Sequence, residues 1–107
     1  MCMAAYSNLD PDGLQELLRG TLVLIDVRTD REVERGLIPG ALHIPLHMLP
    51  ARMEEIGRDC PVVIYCQSGA RSAQASVFLA DNGREQVYNL SGGFSAWVSR
   101  GFPVAQN

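Results

Sequence analysis

The sequence predicts an α/β domain with a mostly parallel central sheet and helices on both faces, and three observations carry that prediction. Short apolar, β-branched runs alternate with segments of helical periodicity along the chain. Two of those runs, Thr21–Val27 (TLVLIDV) and Val62–Tyr65 (VVIY), are almost continuously apolar. That is the pattern of strands buried on both faces, not the alternation of a strand with one wet face. Finally, chemically active residues stand where these runs end: Asp26 and Arg28 at the first, Cys66 after the second. In an open parallel sheet, ligands sit outside the carboxyl ends of the strands.

In chain order, Met3–Tyr6 is read as a short edge strand. Asp10 is an N-cap with Pro11 at the first helical position, opening a helix whose stripe is Leu14, Leu17 and Leu18 and whose stop is Gly20. After the strand Thr21–Val27, Thr29 and Glu32 stand in capping-box spacing and open a short helix through Arg35, closed by Gly36. Leu37–Gly40 forms a turn and Leu42–Ile44 a short strand stopped by Pro45. A helix from Pro50 to Ile56 faces Met53 and Ile56 inward and ends at Gly57. The strand Val62–Tyr65 leads through Cys66 and Gly69 into a helix from Arg71, with Ala75, Phe78 and Leu79 on one face and a stop at Asn82 and Gly83. Val87–Leu90 is the last strand, Gly92 and Gly93 a tight turn, and Phe94–Arg100 the final helix.

Composition narrows the classes of function. With 107 residues, 47% hydrophobic and 20% charged, the chain has the makings of one soluble domain spanning residues 1–107. A net charge of −3, without a basic stripe interleaved with aromatics, gives no case for nucleic acid as partner. The opening MCMAAYSNLD has neither a basic region nor a long apolar run, so neither a signal peptide nor a membrane span is expected. Three cysteines at irregular positions (Cys2, Cys60, Cys66) describe no disulfide framework and no zinc site. A reducing cytoplasm, which keeps Cys66 free, is the expected location. His43 and His47 have the spacing of helical metal ligands, but Pro45 between them disfavours a helix, so no metal or other cofactor is expected. Trp97, Phe94, Met48 and Met53 are read as core, Cys60 as an inert thiol, and Glu54, Glu55 and Arg58 as a solvated helix face.

The chemistry concentrates in CQSGARS, residues Cys66–Ser72. A thiol at a strand end, a short loop relieved by Gly69, and a helix starting immediately afterwards place unpaired amide hydrogens and the positive end of a helix dipole around one sulfur. Arg71 adds a permanent cation. The expected consequence is a Cys66 pKa below the unperturbed value of about 8.5. The amides of Gln67, Ser68, Gly69, Ala70 and Arg71 are the expected anion-binding donors, with Ser72 a further hydroxyl donor or a plain helix-start serine. Arg71 has two open roles: it faces an anionic donor, or its fork pairs with Glu32 or Asp26 and holds the loop. Asp26 and Arg28 are read as supporting residues that tie neighbouring loops.

Taken together these segments resemble a single-domain rhodanese, a sulfurtransferase module. LIDVRTDREVERGLIPGALHIP (Leu24–Pro45) resembles the family's first signature, CQSGARS its active-site loop, and LSGGFSAWVSRGFPV (Leu90–Val104) its carboxyl-terminal signature. The resemblance implies ping-pong transfer of a sulfane sulfur from a small donor such as thiosulfate. Cys66 carries it as a persulfide to a thiophilic acceptor, cyanide or a thiol, with no general base. It also leans toward Arg71 holding the loop. Relatives favouring thiosulfate often carry a basic residue in the loop, where this chain has Gln67 and Ser68. An alternative is a sulfur relay that receives persulfide sulfur from a protein partner. A phosphatase or arsenate reductase of related fold is disfavoured, because only four residues separate Cys66 from Arg71 where those enzymes have five.

Overall fold

The computed structural model describes residues 6–106. Five parallel strands, β1 (Ser7–Leu9), β2 (Val23–Asp26), β3 (Leu42–His43), β4 (Val62–Tyr65) and β5 (Val87–Leu90), form one sheet in the order β1-β5-β4-β2-β3. β4, flanked by β5 and β2, is the central strand. Its uninterrupted apolar run is explained by its two wet-free faces. Val62 and Ile64 pack with Ile25, Ile44, Leu49, Ala75 and Leu79 on one side. Val63 and Tyr65 pack with Leu14, Leu24, Ile38, Leu90, Phe94 and Trp97 on the other. Because side chains alternate along a strand, this register points Cys66 to the first side.

The helices divide accordingly. α1 (Pro11–Leu17) and α5 (Gly93–Ser99) cover one face, and α3 (Leu49–Arg52) and α4 (Ala70–Asp81) the other. α1 starts as its sequence predicts: Asp10 Oδ1 accepts from the Gly13 amide at 2.7 Å and Pro11 opens the first turn. α2 (Asp30–Val33) carries a complete capping box. The Glu32 amide donates to Thr29 Oγ1 at 3.2 Å, and the Thr29 amide donates to Glu32 Oε1 at 2.9 Å. The tail after α5 returns to the turn following α2, where Leu37 and Ala105 exchange both backbone bonds at 2.9 and 2.8 Å.

Two expectations are corrected. Of the edge strand read at Met3–Tyr6, Met3–Ala5 lie outside the described residues and Tyr6 is not in a strand; the edge strand is Ser7–Leu9. Polar Ser7 and Asn8 carry no strand signal, and pairing with Tyr88, Asn89 and Leu90 of β5 supplies it instead. The helix read at Pro50–Ile56 is three short pieces: a 3-10 turn at Leu46–Met48, α3, and a 3-10 turn at Met53–Glu55. Pro50 sits inside the first turn of α3, where its missing N–H is harmless, so the helix begins one residue before it.

Candidate active site

The geometry around Cys66 follows from where the loop's carbonyls go. Cys66 O accepts from the Phe94 amide at 2.8 Å and Gln67 O from the Ser95 amide at 3.1 Å, so the free N–H groups opening α5 tie down the outer side of the loop. With the carbonyls turned outward, the amides turn inward, and the Gly69 N–H donates to Cys66 Sγ at 3.0 Å. Two glycines permit this. Gly69 has φ +110° at the N-cap of α4. Gly93 has φ +59°, and a Cβ there would stand 2.5 Å from Cys66 O and 2.7 Å from the Gln67 carbonyl carbon. α5 can approach the loop this closely only where residue 93 has no side chain.

The sulfur is fully buried. Burial pushes the Cys66 thiol up, but the Ser72 hydroxyl, 3.4 Å away, and the amides of Ser72, Gly69 and Ser68 favour the anion and prevail. The thiol lies below its ordinary value. Of the amides expected between Gln67 and Arg71, that of Gly69 bonds the sulfur and that of Ser68 also favours its anion, while the Ser72 amide joins them from outside that span. Ser72 is not a plain helix-start serine: it is fully buried and bonded to Asn89 Oδ1 as well as facing the sulfur. That follows from the helix beginning at Ala70, which turns Ser72 back over the loop.

Arg71 is engaged with Glu32, its two terminal nitrogens donating to the two carboxylate oxygens at 2.8 Å each. The Arg71 bonds hold the Glu32 carboxyl down to about 2 against some desolvation, with help from Thr29. The same carboxylate therefore caps α2 and clamps the first turn of α4. Glu32 and then the Cys66 sulfur raise the Arg71 guanidinium above its ordinary value. Of the two roles open in the sequence, the structure shows the carboxylate pairing.

Asp26 and Arg28 form a second, deeper pair. Arg28 Nη2 donates to Asp26 Oδ2 at 2.8 Å and to Gly36 O at 2.7 Å, Nε spans both Asp26 oxygens at 3.1 Å, and Nη1 reaches Gln67 Oε1 at 3.2 Å. Its guanidinium lies 4.2 Å from the Phe94 ring centroid. Gln67 is held at its other end by Ser95, Nε2 donating to Oγ at 2.9 Å. Tyr65 completes the cluster: its hydroxyl accepts from the Ile38 amide at 3.0 Å, and burial followed by the Asp26 charge pushes its ionisation far up.

Cys66, Gln67, Gly69, Arg71, Ser72, Asp26, Arg28 and Glu32 thus belong to one connected site, while Ser68 and Ala70 are exposed on its rim. Cys60 precedes β4 at the opposite end of the sheet from Cys66, and Cys2 lies outside the described residues. His43 is occupied by Arg28 O at 2.7 Å from its Nε2, and His47 is exposed. Among the described residues no cluster of three metal-ligating side chains occurs, and no helix is long and apolar enough to cross a membrane. Sequence reasoning missed Gly93, Ser95 and Asn89 as parts of the site. The Gly-Gly pair was the available signal for the first; Ser95 and Asn89 look like any polar residue of a helix or strand. Two cavities flank the loop, of about 550 Å³ along Val27, Pro45, Leu46 and Arg71 and about 400 Å³ along Glu32, Gln67 and Phe94, and Arg31 lines both.

A buried cysteine at the carboxyl edge of a five-stranded parallel sheet, bonded by the amides of a four-residue loop, defines an anion-stabilising thiol site of the rhodanese type. Residues 10–100 match the Rhodanese-like domain family, and the chain belongs to it. It is 45% identical over 100 residues to a sulfurtransferase of Allochromatium vinosum, covering 92% of this chain and 94% of that one. It is 32% identical to the thiosulfate sulfurtransferase GlpE of Ectopseudomonas mendocina, over 89% of this chain and 87% of that one. A rhodanese-like domain protein from Staphylococcus aureus superposes with a TM-score of 0.84 at 30% identity, covering 94% of this chain and 98% of that one. These relatives support sulfurtransferase activity in general terms.

Proposed function

We propose that the protein transfers a sulfane sulfur through a persulfide on Cys66. The observation that carries this reading is the Cys66 sulfur facing the Gly69 amide at 3.0 Å, with its ionisation favoured without any base beside it. In the first half-reaction the thiolate attacks the outer sulfur of thiosulfate. A sulfur–sulfur bond forms to Cys66, the bond within thiosulfate breaks, and sulfite leaves with the electron pair. In the second, a nucleophile such as cyanide or a thiolate takes the outer sulfur and the Cys66 thiolate returns. Delocalised negative charge on a persulfide is served by several modest donors, which loop amides provide.

Thiosulfate is a dianion, and Gln67 and Ser68 bring no positive charge to the loop. Arg31 supplies it from α2 and Arg35 from the turn just after α2, lining the cavities beside the loop. The larger cavity, with an apolar floor of Val27, Pro45 and Leu46, supports a second reading in which sulfur passes to or from a protein partner docked beside Arg71. Phosphatase chemistry is disfavoured because the short loop brings its amides onto the cysteine sulfur itself. A reducing cytoplasm suits a catalytic thiol.

Incubation with thiosulfate followed by intact mass measurement tests the reading. The parent is expected to gain one sulfur atom and Cys66→Ala none. Absence of any gain with thiosulfate or with a persulfide-loaded cysteine desulfurase overturns it. Loading only from the desulfurase selects the relay.

A further inference from the structure

The Ser72 hydroxyl stands within hydrogen-bond distance of three acceptors but has one proton to give. Asn89 Oδ1 is 2.5 Å away, Gly69 O 3.2 Å and Cys66 Sγ 3.4 Å. Gly69 O, a carbonyl, only accepts, and it already receives the Ala73 amide at 3.1 Å and Asn89 Nδ2 at 3.3 Å. Nδ2 also donates to Asn8 Oδ1 at 3.3 Å. With the nitrogen of Asn89 held toward Gly69, its oxygen must face Ser72, and Ser72 must be the donor between them. The proton of Ser72 therefore points at Asn89, and a lone pair of Ser72 points at sulfur. Such a lone pair welcomes a thiol S–H and repels a thiolate.

We propose that Asn89 is a positioning residue that holds the Ser72 proton away from Cys66 while that side chain is a thiol, and yields it when the sulfur becomes negative. Ionisation turns the hydroxyl from Asn89 Oδ1 to Sγ, one hydrogen bond exchanged for another, with no proton leaving Ser72. The exchange occurs among groups almost wholly removed from water: Ser72 is 0% exposed and Asn89 5%. Solvent cannot replace the bond Asn89 gives up. Asn89 thus restrains formation of the reactive anion, and its β5 position links the edge strand β1, through Asn8, to the thiol. The proposal deepens the Cys66 reading above, since it concerns how readily that sulfur ionises.

The test follows alkylation of Cys66 by iodoacetamide against pH, read on the Cys66 peptide by mass. Asn89→Val removes the nearer of the two competing acceptors and suits a strand; the weaker one, Gly69 O at 3.2 Å, stays and keeps its Ala73 bond. The midpoint is expected to fall by about half to one pH unit, the worth of one buried hydrogen bond. In a Ser72→Ala background the same substitution is expected to leave the midpoint unmoved. Ser72→Ala alone is expected to raise it by less than about half a unit, since the hydroxyl's gain at sulfur is offset by its loss at Asn89. A midpoint that is unchanged or raised in Asn89→Val, or a shift equal in both backgrounds, overturns the proposal. Should Asn89→Val not fold, a rise above about one unit in Ser72→Ala overturns it independently. Because the readout is ionisation, a shift without sulfur loading rejects the transfer reading alone, and loading without the shift rejects this one alone.

Discussion

Two arginine–carboxylate pairs brace the site, and the contrast between them is instructive. Arg28 and Asp26 are two residues apart, with side chains 1% and 0% exposed, and Arg28 also holds Gly36 O and Gln67 and stacks on Phe94. Arg71 and Glu32 come from different helices, with side chains 36% and 29% exposed, and their fork is a closed two-bond pair. The chemistry is the same and the burial differs. The inner pair is a frame whose charges have no access to water, so each depends chiefly on the other. The outer pair is a clamp whose members can be rehydrated if parted. The outer clamp, however, is the one anchored in the first turn of α4, directly after the loop that carries the sulfur.

The sharpest way to break the contrast is to halve each pair. Asp26→Ala strands the Arg28 charge in the interior and is expected to destabilise the fold by about 3–5 kcal/mol, measured by urea denaturation. Glu32→Gln is expected to lower stability by no more than about 1 kcal/mol. A comparable loss in the two variants defeats the distinction between frame and clamp.

Gly93→Ala separates positioning of the loop from either ion pair. The added Cβ meets the carbonyls of Cys66 and Gln67 at 2.5–2.7 Å, in a left-handed backbone. A loss of about 1–3 kcal/mol is expected, together with an alkylation midpoint for Cys66 raised toward that of free cysteine as the amides turn away. Full stability with an unmoved midpoint shows that α5 does not shape the loop. A smaller effect is expected of Arg31→Gln, which leaves folding unchanged and weakens apparent thiosulfate binding by about threefold to tenfold. The rate at saturation stays the same, and the dependence on ionic strength becomes flatter. An unchanged ionic-strength dependence removes Arg31 from donor recognition.

Much of the fold was legible because its signals are local. The runs VVIY and Val87–Leu90 became strands at the expected bounds, and the Asp10-Pro11 and Thr29/Glu32 caps formed as spaced. The edge strand was not, because Ser7 and Asn8 enter the sheet by pairing with β5 and not by propensity. Cys66 and the Gly69 turn were visible for the same local reason. The Arg71–Glu32 pairing spans 39 positions and stood only as one of two options. Asn89 was silent as a site residue and Gly93 showed only as half of a Gly-Gly pair, because what they do depends on which backbone lies beside them. Their neighbours, Ser72 and the Cys66 carbonyl, come from far earlier in the chain.

The smallest effect is a dependence on pH, and it distinguishes the clamp from the frame without disturbing either under neutral conditions. Glu32 is held to about 2 in the fold against an ordinary value of 4.5, chiefly by the bonds from Arg71. A carboxyl depressed in the folded state binds protons more readily when unfolded. Its contribution is therefore complete above about pH 5 and drains away as the pH falls toward about 2. Solvent screening of the partly exposed pair limits that contribution to about 1 kcal/mol. The difference in unfolding free energy between the parent and Glu32→Gln should be flat above pH 5 and narrow steadily below it. Other carboxylates titrate in the same range, but they are common to both proteins and cancel in the difference. A difference that persists undiminished at about pH 2.5 means that Glu32 supports the fold through the capping-box geometry that glutamine preserves poorly, and not through its charge.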